Sequence, residues 1–285
     1  MKVVIIHNPR SGSAIPVRDL VRKFKAVDIE VIKTIKIDDT AKALSHYRDQ
    51  KIVVVGYGGD GSLNQVATHL LDTKLLFAPL PGGTLNHFTK DLGISQDLDE
   101  AIRDITSARL RSIDIATVND KVILNNSSIG LYPSSLQMRD EITRKQISKW
   151  PAAIIASFKA FLRYRSYTVT IDGETFKTPF IFVGNNDYRL EHMLIGERKH
   201  LNEHILSVYA IVGASRLSLL RVFGKALMRQ LESADEMKIW KAQSLTVHTK
   251  RPRIRISRDG EHERTSTPLE YKILPDALKI IGGNK

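Results

Sequence analysis

The stretch Lys51–Ala67, KIVVVGYGGDGSLNQVA, constrains the fold of this chain more than any other. Lys51–Val55 is a β-branched apolar run of strand type, and Gly56, Gly58, Gly59 and Gly61 follow around a single acid, Asp60. Ser62 then opens a helical segment with Leu63, Val66 and Leu70 on one side. A strand that breaks into glycines and restarts as a helix aims backbone N–H groups and the positive helix end at one spot, an arrangement that holds phosphate. Glycine removes the Cβ that would keep an anion off the backbone and permits positive φ. The loop lacks the lysine of GxxxxGK[ST], and it meets GxGxxG only through Gly56, Gly58 and Gly61, with Asp60 inside. An acid among phosphate-binding amides repels the ligand unless a divalent cation bridges them, so Asp60 reads as linked to Mg²⁺. A glycine-rich turn with a helix-capping aspartate is the plainer alternative and stays open at this point.

The chain on either side repeats the strand-to-turn pattern. Lys2–His7 is a strand ending at Asn8-Pro9-Arg10-Ser11-Gly12, and Lys74–Ala78 is a strand ending at Pro81-Gly82-Gly83-Thr84-Leu85-Asn86. Helices are expected around Val17–Val27, Thr40–Arg48 and 62–71, with a further strand over Ile29–Lys36. Alternating strands and helices with short connections imply a doubly wound α/β sheet. Its ligand loops, 8–12, 56–61 and 81–86, lie at the carboxyl ends of strands and can converge on one crevice.

From Ser112 onward short strands dominate: Ile113–Val118, Val122–Asn126, Tyr167–Ile171, Phe176–Val183, Ile205–Val212, Leu245–Thr249 and Ile254–Ser257. Turn signals such as Asn119-Asp120 and Asp172-Gly173 separate them, which implies an antiparallel β-sandwich domain. Helical spacing returns in Ser148–Arg165 and in Ser215–Leu231, where Arg221, Lys225 and Arg229 form a basic stripe beside a leucine face. Packing on the sandwich or lying on a membrane surface both account for such helices.

With 285 residues there is room for these two domains, each with its own core. The net charge of +12 implies anionic partners, or a generally basic surface that keeps the protein soluble; charge alone leaves both open. Nucleic acid is not favoured, because no basic tract interleaved with aromatics or reading helix is evident. No run approaches the roughly 18 apolar residues of a membrane span. The chain contains no cysteine, which removes disulfides and cysteine metal sites, and MKVVIIHN reads as strand rather than signal peptide. A cytoplasmic location is the expectation.

The ordered set NPRSG (8–12), GGDGSLN (58–64), PGGTLNHF (81–88) and Asp259-Gly260-Glu261 resembles the diacylglycerol kinase catalytic-domain family. These are bacterial lipid kinases related to sphingosine and ceramide kinases and, more distantly, to NAD kinases. The likeness continues through ILNNSSIGLYP (123–133), GNN (184–186), LNEHILSVY (201–209) and ILPDALKII (273–281), so it covers essentially the whole chain. It implies a nucleotide-binding α/β domain at 1–118, completed by a returning segment at 270–285, and a lipid-binding β-sandwich at 119–269. It implies ATP and Mg²⁺ as cofactors, with transfer of the γ-phosphate to the hydroxyl of a diacylglycerol-like lipid at a membrane surface, on its cytoplasmic face.

By the same resemblance Asn8, Ser11, Gly12, Gly58, Gly59, Asp60, Gly61, Ser62, Leu63, Asn64, Thr84 and Asn86 bind the nucleotide phosphates, and Thr34 is a further nucleotide contact. Glu261 takes the proton of the lipid hydroxyl, and Asp60 serves the metal. The pattern departs from the family at three places: His87 and Lys90 replace Asp and Arg after GTLN, Ser13 replaces a lysine, and Glu203-His204 replaces an Asp-Gly pair near a structural Mg²⁺ site. Glu203 is the candidate ligand left there. Because NAD kinases share GGDG, a NAD kinase-like phosphotransferase is the rival enzyme reading. The departures also leave room for a non-catalytic nucleotide-binding module at a membrane surface.

Overall fold

The computed structural model describes residues 1–107, 109–130, 167–171, 173–192, 195–198, 200–212, 225 and 237–283. The chain divides into two compact units, Met1–Ile115 with Lys199–His204 and Leu274–Lys285, and Ala116–Arg198 with Ile205–Ile273.

The first unit alternates strand and helix: β1 (Lys2–His7), α1 (Val17–Lys25), β2 (Glu30–Lys36), α2 (Thr40–Leu44), β3 (Val53–Gly58), α3 (Asp60–Leu70), β4 (Leu76–Pro81), α4 (His87–Asp91) and α5 (Leu98–Ser107). Its strands pair in parallel in the order β2-β1-β3-β4. Every residue of β3 is buried, as a central parallel strand covered on both faces requires. Leu20 and Phe24 of α1 and Leu63, Val66, Ala67 and Leu70 of α3 supply the apolar stripes that cover it. The doubly wound α/β reading of this half therefore holds, and α5 is a helix the sequence pattern did not announce.

β5 (Leu110–Val118) leads out of this unit. The second unit contains β6 (Lys121–Ile123), β7 (Asn126–Gly130), β8 (Tyr167–Ile171), β9 (Glu174–Thr178), β10 (Phe180–Asn185), β11 (Tyr188–His192), β12 (Ile195–Arg198), β13 (Leu206–Ile211), β14 (Met237–Ala242), β15 (Ser244–Thr249), β16 (Arg253–Arg258) and β17 (Glu261–Ser266). β18 (Leu269–Ile281) starts here and returns to the first unit, where Ile280 pairs in parallel with Phe77 of β4. One sheet is antiparallel throughout, in the order β14-β13-β10-β7-β16-β17. Its Ile129, Ile181, Val183, Val208 and Ile256 share a core with Val169, Val247, Leu269 and Tyr271 of the strands β8, β15 and β18. Two sheets on one core make the expected sandwich.

Two strand boundaries differ from the sequence reading for identifiable reasons. The expected strand Val122–Asn126 is split, with β6 ending at Ile123 and β7 starting at Asn126. The N–H groups of Leu124, Asn125 and Asn126 donate to the Asp259 carboxylate instead of to a neighbouring strand. The expected strand Phe176–Val183 is interrupted at Pro179, which has no N–H to give. There the Thr178 hydroxyl donates to Phe180 O and accepts from Phe180 N, turning the corner. The helical windows 148–165 and 215–231 lie outside the described residues apart from Lys225.

An ionic clasp fastens β6 to the β16–β17 hairpin. Lys121 Nζ donates to Glu263 Oε2 at 2.6 Å and Arg258 Nε to Oε1 at 3.1 Å. Burial alone would raise the Glu263 carboxyl, but the hydrogen bonds and charges of Lys121 and Arg258 outweigh it and hold the group below its ordinary value. Ionised Glu263 thus stabilises the fold above its unfolded-state pKa, and that contribution fades as pH falls through the lowered folded value. Glu263→Gln is expected to cost about 1–2 kcal/mol at neutral pH. Urea unfolding at a series of pH values should show the gap from wild type closing as the solution is acidified. A gap that stays constant with pH contradicts the clasp.

Candidate active site

Three loops of the first unit meet at the carboxyl ends of β1, β3 and β4. Their closest approach is backbone against backbone: a Cβ added to Gly83 would stand 2.5 Å from Gly59 Cα, and one added to Gly82 would stand 2.9 Å from Gly58 N. Only glycines fit there. Gly58 also lies under Ser62, and Gly12 lies against the Thr84 hydroxyl, 2.9 Å from where its Cβ would be. Hydrogen bonds stitch the loops together. Asn8 Nδ2 donates to Ser62 Oγ at 2.8 Å, Gly59 N to Ser11 Oγ at 3.4 Å, Gly82 N to Gly58 O at 3.0 Å, and Ser13 Oγ to Gly83 O at 3.1 Å.

Asp60 occupies the first position of α3, yet its carboxylate serves another helix. Oδ2 accepts from His87 N at 3.1 Å and Oδ1 from Phe88 N at 2.9 Å, at the start of α4. A carboxylate there satisfies N–H groups that have no partner within the helix and faces the positive helix end. Asn86, left-handed at φ 53°, precedes α4, and its Oδ1 accepts from Gly83 N at 2.9 Å. Asn tolerates that backbone better than most residues. Asp60 and Asn86 together fix the third loop against the second. Capping by Asp60 is therefore present, and it is directed at a helix far along the chain.

The residues singled out by sequence fall into distinct places. Asn8, Ser11, Gly12, Gly58, Gly59, Asp60, Gly61, Ser62, Thr84 and Asn86 belong to this loop cluster, and Thr84 is exposed. Leu63 is fully buried with its side chain towards Gly56, and Asn64 is buried within α3. Thr34 is exposed in the middle of β2, opposite Ile5. Arg18 and Lys90 are exposed cations of the same unit. Tyr57 was missed: its hydroxyl donates to Ser13 O at 3.0 Å and accepts from Ile15 N at 3.1 Å, pinning the first loop. A tyrosine inside a buried strand and a glycine run is the available signal, since its hydroxyl needs a partner.

Glu203 is half-buried in the segment Lys199–His204. Beside it, Asp114 is fully buried and accepts from His204 N at 2.7 Å, His204 Nδ1 at 2.9 Å and Asp276 N at 3.0 Å. Among the described residues no group of three or more His, Asp or Glu could hold a metal. A Mg²⁺ that keeps several waters and is held by one carboxylate plus substrate phosphates needs no such group, and Asp60 fits that role. Each of its oxygens accepts from one amide and keeps a lone pair for a cation. Asp114, beside Glu203, already accepts these three hydrogen bonds.

In the second unit Asp259-Gly260-Glu261 is the turn of the β16–β17 hairpin. Asp259 at φ 47° and Gly260 at φ 84° are both left-handed, as a two-residue primed turn requires. Asp259 Oδ1 accepts from Asn125 N at 2.7 Å and Asn126 N at 3.1 Å, Oδ2 from Leu124 N at 2.9 Å, and Asp259 N donates to Asn126 O. The turn is bolted down by its aspartate, while Glu261 remains exposed at the head of β17.

Comparison with known proteins accords with this pair of units. A model of the diacylglycerol kinase catalytic domain matches residues 2–118, and a model of the YegS C-terminal NAD kinase beta sandwich-like domain matches residues 134–282. The chain belongs to the diacylglycerol kinase-like family of lipid kinases. A Streptococcus pneumoniae protein provisionally named a lipid kinase is 25% identical over 100% of this chain and 99% of its own. One from Staphylococcus carnosus, named the same way, is 24% identical over 79% of this chain and 74% of its own. A Bacillus anthracis crystal structure provisionally titled a diacylglycerol kinase superposes with TM-score 0.76 at 22% identity, covering 99% of this chain and 97% of that one. Another from that organism, titled a diacylglycerol kinase, gives TM-score 0.69 at 18% identity, covering 99% and 96%. At these identities the structures establish the fold.

Asp60→Asn keeps one acceptor oxygen and loses the charge facing the start of α4. It is expected to remain folded and to lose about 1 kcal/mol of stability, read from the urea midpoint. A variant as stable as wild type contradicts the capping role.

Proposed function

We propose that the protein is an ATP- and Mg²⁺-dependent lipid kinase that transfers the γ-phosphate to the hydroxyl of a diacylglycerol-like lipid. The observation that carries the reading is the convergence of three glycine-bearing loops, closed by the Asp60 grip on α4, at the carboxyl ends of parallel strands. Backbone at strand ends and helix starts is suited to phosphate oxygens, and at the rim of these loops Gly12 is exposed while Gly59 and Gly61 are half-buried. Thr84 and Ser11 add hydroxyls, and Arg18 and Lys90 add positive charge on the same unit. When bound beside Asp60, Mg²⁺ neutralises the phosphate charge that a lone carboxylate would repel.

The chemistry asks little more of the chain. The lipid oxygen attacks the γ-phosphorus, the bond to the β–γ bridging oxygen breaks, and ADP leaves. The hydroxyl proton goes to a carboxylate, and Glu261 is the one assigned here, held at an exposed, rigid turn. For a membrane-resident acceptor, the exposed Arg251, Arg253, Arg255 and Arg264 on and beside the β16–β17 hairpin favour an anionic bilayer. Each well-placed cation is worth about 1 kcal/mol there. Among the described residues no helix is long and apolar enough to cross a membrane.

The test is ATP turnover against diacylglycerol, a sphingoid base and phosphatidylglycerol in mixed micelles, with NAD as comparison. Phosphorylation of a lipid and not of NAD is expected. Phosphorylation of NAD alone would establish the rival phosphotransferase, and ATP binding with no transfer to any acceptor would leave a binding module. Glu261→Gln should lower turnover by about 10²–10⁴-fold with Mg·ATP affinity unchanged. If ATP binding falls in step with activity, or neither changes, the proton acceptor lies elsewhere.

A further inference from the structure

Arg198, at the end of β12, is 1% exposed, and it is the largest fully buried side chain among the described residues. A buried guanidinium is costly unless its charge is matched and its donors are used. Arg198 Nη1 donates to Leu124 O at 2.7 Å and to Asn185 O at 3.4 Å, and Nη2 donates to Asn125 Oδ1 at 2.9 Å. Its guanidinium carbon stands 5.6 Å from the centroid of the Tyr188 ring.

The peptide unit joining Leu124 to Asn125 connects this cation to an anion. Its carbonyl oxygen receives Arg198, and its N–H is given to Asp259 Oδ1 at 2.7 Å. A cation at one end of a peptide dipole and an anion at the other polarise the same group in the same sense, so each strengthens the other's hydrogen bond. Asn185 reinforces the arrangement, its Nδ2 donating to Ile123 O and Leu124 O and its N to Asn125 O. Asn126 Nδ2 donates to the Tyr188 hydroxyl at 3.3 Å. Leu124–Asn126 is thus clamped between Arg198 and Asp259, and Asp259 is the residue that opens the turn carrying Glu261.

We infer that Arg198 is a positioning residue for phosphoryl transfer, acting through the Leu124–Asn125 peptide and Asp259 to fix where Glu261 presents its carboxylate. The inference rests on the assignment of Glu261 as proton acceptor. It adds that the acceptor's placement is set from inside the sandwich by a charge that never meets substrate. Lysine cannot reproduce the arrangement, because one ammonium does not span Leu124 O and Asn125 Oδ1 as the planar fork does. A misplacement of a reacting group by about 1 Å costs up to 10²-fold in rate.

The test combines kinetics with amide exchange in the full chain. Arg198→Lys is expected to lower kcat by about 10–100-fold with the KM for Mg·ATP unchanged. Placed on Glu261→Gln, the same substitution should cost almost nothing further, since the group it positions has lost its role. Hydrogen exchange at the Asn125 and Asn126 amides should rise in Arg198→Lys. Should Arg198→Lys unfold the chain, Asp259→Asn, which weakens the other end of the same clamp, is read in its place. Full additivity of the two substitutions, or unaltered exchange at Asn125 and Asn126, overturns the positioning role. A Glu261→Gln enzyme with wild-type turnover instead overturns the assignment of Glu261, which the exchange measurement does not depend on.

Discussion

The contact between Gly59 and Gly83 is the constraint on which the loop end of the first unit depends. Two backbones from loops after β3 and β4 approach so closely that a single Cβ at Gly83 would stand 2.5 Å from Gly59 Cα. Such an approach gives up side-chain packing, and glycine brings extra entropy to the unfolded chain. Hydrogen bonds offset that cost. Gly82 N reaches Gly58 O, Gly83 N reaches Asn86 Oδ1, and the Asp60 carboxylate collects the first amides of α4. At the rim of this contact Gly12 and Thr84 are exposed and Gly59 and Gly61 half-buried.

The second unit solves a different problem with the same device, a carboxylate gripping consecutive amides. Asp60 seats a helix start, and Asp259 seats the bend between β6 and β7. Both acids stand in the motifs that look most catalytic, and both have a demonstrable structural task. A rate loss on mutating either one therefore needs a separate binding or folding measurement before it is read as chemistry. Glu261 differs, because it is exposed beside the bolted aspartate.

The glycine loops were legible because steric exclusion leaves a residue-type mark: only glycine and a left-handed Asn or Asp fit those bends, and the sequence displays them at strand ends. The parallel sheet was legible from the alternation of strands and helices, and the sandwich from short runs parted by turn residues. β17, EHERTS, was not, because a charged edge strand has no apolar alternation to report. The partners of Asp60 were also hidden. They lie 27 and 28 residues further on, and those of Asp259 lie 133 to 135 residues earlier, so no local pattern reports them. The buried Arg198 gave no sign either, since arginine in a short strand reads by default as a solvated side chain.

We propose that the Gly59–Gly83 contact builds the nucleotide site. Calorimetric titration of Mg·ATP into wild type and Gly83→Ala tests it most directly, with circular dichroism confirming that the variant is folded. The added methyl forces the two loops apart, so the dissociation constant is expected to rise by more than about tenfold, a loss above about 1.4 kcal/mol. A folded Gly83→Ala protein that binds Mg·ATP as tightly as wild type would contradict the account.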